Sequence, residues 1–230
     1  MASESSTTVA SVKPVIIFGT GDYARIAKVY LDSDSPYEVV AFAVDEAYRD
    51  REELLGVPVL PAERLVDTHP PSDFALLVAI GYSRVNKARR SVYDRQKGLG
   101  YELISYVSSA AQLVTDVEIG ENCFVFEANV IQPFVRIGDN VVIWSGNHIG
   151  HDSTIGSHCF IASHAVISGN VTIGESCFVG VNATVRDGVT IASDCVIGAG
   201  ALIMKDTAQG DVYVPRRTDL FAKKSWELDL

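Results

Sequence analysis

The sequence has few of the features that mark nucleic-acid-binding, membrane or secreted proteins. Its 230 residues contain 19 Lys and Arg against 29 Asp and Glu, and this formal net charge of −10 argues against nucleic acid or an anionic membrane as a general partner. No apolar run reaches the roughly 18 residues of a membrane span, and the first residues lack the apolar core of a signal peptide. We therefore expect a cytoplasmic protein with no membrane span and no nucleic-acid partner.

Cysteine is scarce as well, and its spacing argues against disulfide bonds. Cys123, Cys159, Cys177 and Cys195 are separated by 36, 18 and 18 residues. This spacing indicates that the four occupy one position of an 18-residue repeat, where a buried free Cys serves as a small apolar side chain. We therefore predict four reduced thiols, which fits a cytoplasmic location.

The C-terminal half lacks both the period of an amphipathic helix and the alternation of a flat strand. Instead, Ile or Val occupies every sixth position from Ile119 to Ile203. Blocks of 18 residues open with similar sequences, such as IGENCF at Ile119 and IGSHCF at Ile155, so three hexapeptides make one coil. The repeat predicts a parallel β-helix of five coils within residues 107–208, followed by a tail over residues 209–230.

Residues 14–106 alternate apolar strands with helical segments, after an N-terminus over residues 1–13 that we expect to be disordered. Strands are predicted at 15–18, 38–44, 57–60, 74–80 and 101–106, and helices at 22–31, 61–66 and 83–97. This alternation is typical of an α/β, Rossmann-like domain with a parallel sheet, whose ligands bind at the carboxyl edge. About ninety residues make half of a dinucleotide fold, so we expect one mononucleotide rather than a redox cofactor.

The first predicted strand ends in a turn of the dinucleotide-binding type, with Gly19, Gly21 and Ala24 at the required spacing. Such glycines let backbone amides approach a phosphate at a helix N-terminus, although a plain tight turn is the alternative. Asp45 ends the next long strand, where such folds contact a ribose or a base. Arg84 follows a later strand end and is a candidate phosphate ligand, with an exposed helix face as the alternative.

Histidine is concentrated in one stretch of the repeat. Four of the five histidines, His148, His151, His158 and His164, lie within 17 residues. The inward positions nearby belong to the Ile and Val column, so His148 and His151 are expected outside the packed interior. A metal site is the competing interpretation of the cluster, but the spacing matches no usual zinc-ligand pattern, and we predict no metal.

His151 and Asp152 together have the composition of a general base with its carboxylate partner. The imidazole can accept a proton from an attacking amine or hydroxyl, and the acid orients the ring and stabilises the imidazolium. Adjacent side chains of a strand point to opposite faces, so this pairing requires a corner at Asp152. Asn147 and His148 are then expected to shape the acceptor pocket, with Trp144 as a wall of the pocket or as a contact between subunits.

The repeats resemble the left-handed hexapeptide β-helices of acyl-CoA-dependent transferases. The order of domains and the segment Asn147-His148-Ile149-Gly150-His151-Asp152 are similar to the group that comprises sialic acid O-acetyltransferases and sugar-nucleotide N-acetyltransferases of bacterial surface-glycan pathways. The resemblance covers residues 14–208. It implies left-handed coils, a homotrimer, acetyl-CoA as the acyl donor and a nucleotide-linked sugar on the N-terminal domain.

The same resemblance assigns residues to roles. It makes His151 the catalytic base and Asp152 the acid beside it. The nucleotide is then held at the turns and strand ends of the N-terminal domain, by Gly19, Gly21, Asp45, Ile80 and Gly81. The pantetheine arm of the coenzyme lies in a groove that is lined by Gly169, Val181 and Ala199.

Two departures from the family pattern concern the coenzyme. Phe160 occupies the position of a second histidine that relatives often use to contact acetyl-CoA, and His158 or His164 is the candidate substitute. The tail replaces a Gly-x-Pro-Ala segment with Pro215-Arg216-Arg217. Arg216, Arg217, Lys223 and Lys224 offer cations for coenzyme phosphates, or else form a solvated tail.

These observations predict an acetyl-CoA-dependent N-acetyltransferase that acts on a nucleotide-linked amino sugar. Two alternatives stay open at this point. One is O-acetylation of a sugar or sialic acid, and the other is a non-catalytic, nucleotide-binding solenoid scaffold.

Overall fold

The computed structural model describes residues 12–216 and 218–228. The predicted disordered N-terminus lies almost wholly outside these residues, as does Arg217. The N-terminal domain is built around a six-stranded sheet in the order β3-β4-β2-β1-β5-β6. All neighbouring strands are parallel except β3 and β4. Its strands are β1 Val15–Phe18, β2 Val39–Val44, β3 Glu53–Leu54, β4 Val57–Pro61, β5 Ala75–Val78 and β6 Glu102–Leu103.

Three helices accompany the sheet: α1 Asp22–Asp34, α2 Leu65–Thr68 and α3 Lys87–Gly98. Two predicted helices were wrong in extent. The predicted helix at 61–66 is a 3-10 turn, Ala62–Arg64, followed by the short α2. The predicted helix at 83–97 begins only at Lys87, because Arg84, Val85 and Asn86 have φ angles of 55°, 52° and 64°.

The C-terminal domain is a parallel β-helix of two-residue strands that form three sheets, one for each face of a triangular prism. The covered face is the sheet whose central strands pack on the N-terminal domain, and it carries β7 Tyr106–Val107, β10 Phe124–Val125, β13 Val142–Ile143, β16 Phe160–Ile161, β19 Phe178–Val179, β22 Val196–Ile197 and β24 Val212–Tyr213. The open face carries β8 Gln112–Leu113, β11 Val130–Ile131, β14 His148–Ile149, β17 Val166–Ile167, β20 Thr184–Val185 and β23 Leu202–Ile203. The threonine face carries β9 Glu118–Ile119, β12 Arg136–Ile137, β15 Thr154–Ile155, β18 Thr172–Ile173 and β21 Thr190–Ile191.

The period of six arises because the second residue of each strand points into the prism. From Val125 to Ile203 every one of these residues is buried in a single hydrophobic cluster. The cysteines are buried and unpaired at the corner between the threonine and covered faces, and the Cys159 thiol donates a hydrogen bond to the Gly174 carbonyl at 3.1 Å. The prism is therefore filled by aliphatic side chains and thiols.

The corners between faces depend on residues with left-handed backbone conformation. Asn and Asp are prominent among them, because their short polar side chains tolerate positive φ better than most. These residues are Asp116, Asn122, Asn140, Asp152, Asn170, Asn182 and Asp194, with φ angles of 52° to 62°.

The two domains share one apolar cluster, which lies between α1 and the covered face. Phe124 meets Tyr23 edge-on with ring centroids 5.7 Å apart. Polar contacts surround the cluster: Tyr30 donates to Glu127 at 2.7 Å, and Tyr106 donates to Asp34 at 2.6 Å. Within the part of the chain that the structure describes, no helix has the length and apolar character needed to cross a membrane.

Candidate active site

A cavity of about 960 Å³ lies at the carboxyl edge of the N-terminal sheet. It occupies the position where open parallel sheets bind their ligands. Two β-helix residues, Trp144 and Phe160, complete its wall from the covered face. All six residues that we predicted to hold the nucleotide line it: Gly19, Gly21, Asp45, Ile80, Gly81 and Arg84.

The glycine turn contributes to the cavity in two different ways. Gly19 has a φ of 129°, and a Cβ there would lie 2.6 Å from the Ala79 carbonyl oxygen, so this glycine permits close packing of β1 on β5. Gly21 precedes α1, and a Cβ there would meet nothing within 4 Å. No side chain caps the first amides of α1. These amides are therefore suited to an anionic group in the cavity.

The order of strands gives the cavity two ends. β2 and β5 flank β1 on opposite sides, so Asp45 lies on one side of the glycine turn and Arg84 on the other. At the Asp45 end, Arg95 donates to the Asp45 carboxylate at 2.6 Å. Tyr48 also lines this end and is 74% exposed. Neither Arg95 nor Tyr48 was among the residues predicted from the sequence. Neither belongs to the turn motif, so only the folded arrangement reveals them.

His151 and Asp152 lie at the corner between the open face and the threonine face. Asp152 has a φ of 57°, which is the corner that their pairing requires. The His151 Nδ1 and the Asp152 Oδ2 are 2.8 Å apart, and the two side chains are 53% and 52% exposed. The His151 backbone amide also donates to the Gln132 side-chain oxygen at 2.9 Å.

This geometry leaves the Nε2 atom of His151 free to accept a proton. In the neutral ring, the hydrogen bond to Asp152 favours the tautomer that carries its proton on Nδ1. The ring lies against the next coil, since a Cβ added to Gly169 would be 2.7 Å from the His151 Nε2. The absence of a side chain at Gly169 therefore makes room for this ring.

Asn147 is a correction to the predicted acceptor pocket. It is 1% exposed, and its amide oxygen accepts from the Ala165 backbone at 2.7 Å. Its amide nitrogen donates to the Asn129 side chain at 3.0 Å. Asn147 thus belongs to an internal ladder of asparagines and is not available to a substrate, whereas His148 points outward on the open face and is half-buried.

The remaining histidines separate onto different corners. His158 is buried beside the N-terminal domain, where it accepts from the Asn140 amide at 2.9 Å and lies 5.4 Å from the Tyr93 ring. Burial, and then the charge of Arg90, lowers the pKa of His158. Phe160 lies on the covered face, buried against the N-terminal domain. Of the two candidate substitutes for the second histidine, only His164 therefore lies at an exposed corner.

The predicted pantetheine residues do not form one groove within a single chain. Gly169 lies at the corner of His151, between the open and threonine faces. Val181 and Ala199 lie at the corner between the covered and open faces, and both are exposed. The open face separates the two sets, so one groove includes all three residues only if two copies contribute to it.

His151 and the cavity are likewise on different sides of the β-helix. The cavity meets the covered face at Trp144 and Phe160, whereas His151, Asp152 and His148 do not line it. Among residues 12–216 and 218–228, no three His, Cys, Asp or Glu side chains converge as a metal ion would require.

Comparison with protein families identifies both domains. Residues 14–96 match the PglD N-terminal domain, and residues 134–169 and 170–205 match the bacterial transferase hexapeptide of six repeats. The chain is a hexapeptide-repeat acyltransferase with a PglD-type N-terminal domain. The resemblance inferred from the motifs is thereby confirmed. No curated protein sequence is significantly similar to this acyltransferase.

Solved structures share the architecture of this acyltransferase. PerB from Caulobacter crescentus, in complex with CoA and GDP-perosamine, is 27% identical with a TM-score of 0.79, over 87% of this chain and 93% of that chain. The acetyltransferase domain of PglB from Neisseria gonorrhoeae FA1090 is 24% identical with a TM-score of 0.76, over 87% and 96% of the two chains. WeeI from Acinetobacter baumannii AYE is 18% identical with a TM-score of 0.64, over 83% and 96%. The predicted α/β domain followed by a left-handed parallel β-helix is confirmed.

Proposed function

We propose that this acyltransferase transfers an acetyl group from acetyl-CoA to the amino group of a nucleotide-linked sugar, in bacterial surface-glycan biosynthesis. One observation carries the proposal: a glycine turn of the dinucleotide-binding type opens into a cavity of about 960 Å³, on a chain that also presents an exposed His151–Asp152 pair. PerB, which shares the fold at 27% identity, is described with CoA and GDP-perosamine bound. A scaffold that only bound a nucleotide would need no exposed histidine paired with a carboxylate.

In the proposed reaction, acetyl-CoA supplies the acetyl group as an activated thioester. His151 takes the proton that the sugar nitrogen loses as it forms its bond to the acetyl carbon and the carbon–sulfur bond breaks. Asp152 holds the ring in orientation and stabilises the imidazolium, and His151 returns the proton to the departing thiolate. Asp152 is thus a partner of the base and does not itself accept the proton.

The substrate roles follow the two ends of the cavity. The N-terminus of α1 at Gly21 and the Arg84 side chain hold the diphosphate, because both offer positive potential to an anion. Asp45 contacts the ribose or base at the opposite end. Ile80 and Gly81 line the path toward the sugar, and His148 on the open face borders the acceptor.

A homotrimer completes this proposal. The covered face is occupied by the N-terminal domain and the threonine face is polar, so the open face is the surface left for other copies. It exposes Val166 and Leu202, the latter 63% exposed, which favours burial against a neighbour. Assembly through this face brings Gly169 of one copy toward Val181 and Ala199 of the next, and brings one cavity toward the His151 of a neighbour.

The cellular setting and the domain limits are part of the same proposal. Four buried, unpaired cysteines are typical of a reducing compartment and support a cytoplasmic location. The nucleotide-sugar domain comprises residues 14–106, the acyltransferase domain residues 107–208 and the tail residues 209–230. Pairing of β7 with β10 through Tyr106 and Phe124 supports a junction near that first limit.

A substrate panel tests the proposal. Purified protein is incubated with acetyl-CoA and UDP-, GDP- or dTDP-linked amino sugars, their hydroxyl counterparts and free sialic acids, and products are identified by mass spectrometry. We expect N-acetylation of a nucleotide-linked amino sugar. Preferred acetylation of a free sialic acid would contradict the proposal and support O-acetylation. Nucleotide binding without any acetylation would support a non-catalytic, nucleotide-binding scaffold.

A further inference from the structure

The loop between β5 and α3 contains a segment of unfavourable backbone conformation beside the cavity. Arg84, Val85 and Asn86 are consecutive residues with positive φ. Such φ values are uncommon outside Gly, Asn and Asp, and for a β-branched residue such as Val85 they are rare. Gly81, Tyr82, Ser83 and Arg84 of this loop all line the cavity. A conformation of this kind persists only where the surroundings hold it in place.

Asn86 ties the strained segment to the β-helix. Its side chain is fully buried and donates to the Cys177 backbone carbonyl at 2.9 Å. The Asn86 backbone amide also donates to the Tyr82 carbonyl at 3.2 Å. The left-handed turn is therefore fastened both to its own loop and to the β-helix, directly before β19.

Arg89 fastens both ends of the same loop. It is fully buried and donates to the Asn86 side-chain oxygen at 3.1 Å and to the Gly81 carbonyl at 3.4 Å. The same guanidinium donates to the backbone carbonyls of His158 and Cys159 at 2.8 and 2.9 Å.

Arg89 donates all of its hydrogen bonds to uncharged oxygen atoms. Within the described residues it forms no ion pair with a carboxylate. Its burial without a carboxylate partner lowers the pKa of this guanidinium to about 10. The backbone of the β-helix thus provides the anchor for a loop that belongs to the N-terminal domain.

We infer that Asn86 and Arg89 are positioning residues for the nucleotide diphosphate, because they clamp the 81–86 loop to the β-helix and so hold Arg84 in the cavity. This inference rests on the proposed function of the cavity. It makes nucleotide affinity depend on contacts between the domains, although neither residue is assigned a contact with the ligand. Loss of the clamp releases Arg84 from its left-handed turn and removes its charge from the diphosphate.

A double-mutant cycle tests the inference. The probe is whichever of UDP, GDP, dTDP and CDP the wild-type protein binds most tightly by calorimetry. Arg84→Ala is expected to weaken binding about 10- to 100-fold, the range for hydrogen bonds to a charged group. Asn86→Gly keeps the left-handed backbone accessible but deletes the clamp, and it is expected to weaken binding about tenfold. In the Arg84→Ala background, Asn86→Gly is expected to cause no further loss.

Tyr30→Phe is the matched control, because it removes the hydrogen bond between Tyr30 and Glu127, which also joins the two domains. This variant should bind the probe like wild type. Asn86→Asp is a second clamp variant that keeps the acceptor for Arg89 and loses the donor to Cys177. Coenzyme A affinity should be unchanged in all of them.

The outcomes separate the inference from the proposed function. Wild-type binding by Asn86→Gly or by Asn86→Asp, losses that multiply with Arg84→Ala, or an equal loss in Tyr30→Phe would each overturn the clamp. If the wild-type protein binds none of the four diphosphates, the proposed function of the cavity fails instead.

Discussion

Replacement of Gly169 by alanine tests whether the position of the His151 ring matters for turnover. The new Cβ would lie 2.7 Å from Nε2 and 2.8 Å from Cε1 of His151, and 3.1 Å from an Asp187 carboxylate oxygen. Because non-bonded carbon contacts are optimal at roughly 3.5–4.0 Å, the ring must move by about 1 Å. The Gly169 backbone does not have positive φ, so alanine is compatible with it.

The cost should appear in catalysis rather than in folding. The His151 side chain is 53% exposed and has solvent to move into, so the melting temperature should change by only a few degrees. A displacement of about 1 Å at a reacting group costs on the order of 100-fold, and we expect kcat to fall by about 10- to 100-fold. The assay is steady-state acetyl transfer with both substrates saturating, beside a thermal melt.

Gly146→Ala is the matched control. A Cβ there would lie 2.5 Å from the His164 ring, so it makes the same kind of conflict with a histidine that is not proposed as the base. It should lower stability, because Gly146 has a φ of 78°. Since His164 is a candidate contact for acetyl-CoA and not the base, the change should raise at most the KM for acetyl-CoA and leave kcat near wild type. An unchanged kcat in Gly169→Ala, with only KM for acetyl-CoA raised, would mean that Gly169 lines the groove and does not position the base.

Three further predictions concern the cavity, the thiols and the contact between domains. Gly21→Trp should fold normally and raise KM for the nucleotide sugar, and normal nucleotide affinity in this variant would contradict the role of Gly21 in nucleotide binding. Gly19→Ala should instead lower the melting temperature, because its Cβ would lie 2.6 Å from a backbone oxygen. Thiol titration should find four free thiols after denaturation and little reaction before it, since burial raises the pKa of Cys123 to about 12; two or fewer thiols would contradict the stacked-thiol interior. Hydrogen bonds, of which the one from Tyr106 has the largest effect, lower the pKa of Asp34 from 3.8 to about 2. Ionised Asp34 therefore stabilises the fold above pH 3.8, and this stabilisation is lost as the pH falls toward 2. Asp34→Asn should therefore lower the urea midpoint at pH 7, and a gap from wild type that persists undiminished at pH 2 would refute the assignment.

The β-helix was predictable because its sequence period directly reports which side chains are buried. Each hexapeptide carries one inward Ile or Val, and this pattern depends only on contacts between equivalent positions of successive coils. The same pattern also accounts for the burial of Asn147, which stands two residues before Ile149, just as Cys159 stands two residues before Ile161. The cysteines were predicted to be buried at this position of the repeat, and the structure buries Asn147 there as well.

The features that escaped prediction depend on contacts between the two domains. The start of α3 at Lys87 follows from the attachment of Asn86 to the Cys177 carbonyl, which lies 91 residues further along the chain. Local propensity over 83–97 is helical and carries no sign of that contact. The histidines present a similar case, because a prism distributes nearby residues over three corners. Only the docking of the N-terminal domain shows that the corner of His158 is buried.

A complementation experiment tests the two-chain active site most directly. His151→Ala should lose about 10²- to 10⁴-fold in kcat yet keep an intact cavity. Gly21→Trp blocks the cavity yet keeps its histidine. The two inactive variants are co-expressed with different affinity tags, and mixed trimers are isolated and assayed at a fixed nucleotide-sugar concentration below the KM of Gly21→Trp. If one copy holds the sugar nucleotide against the His151 of its neighbour, each mixed trimer contains one complete site out of three, so the isolated mixed trimers should show about a third of wild-type activity. Mixed trimers as inactive as either parent would contradict the shared site and place the whole reaction within one chain.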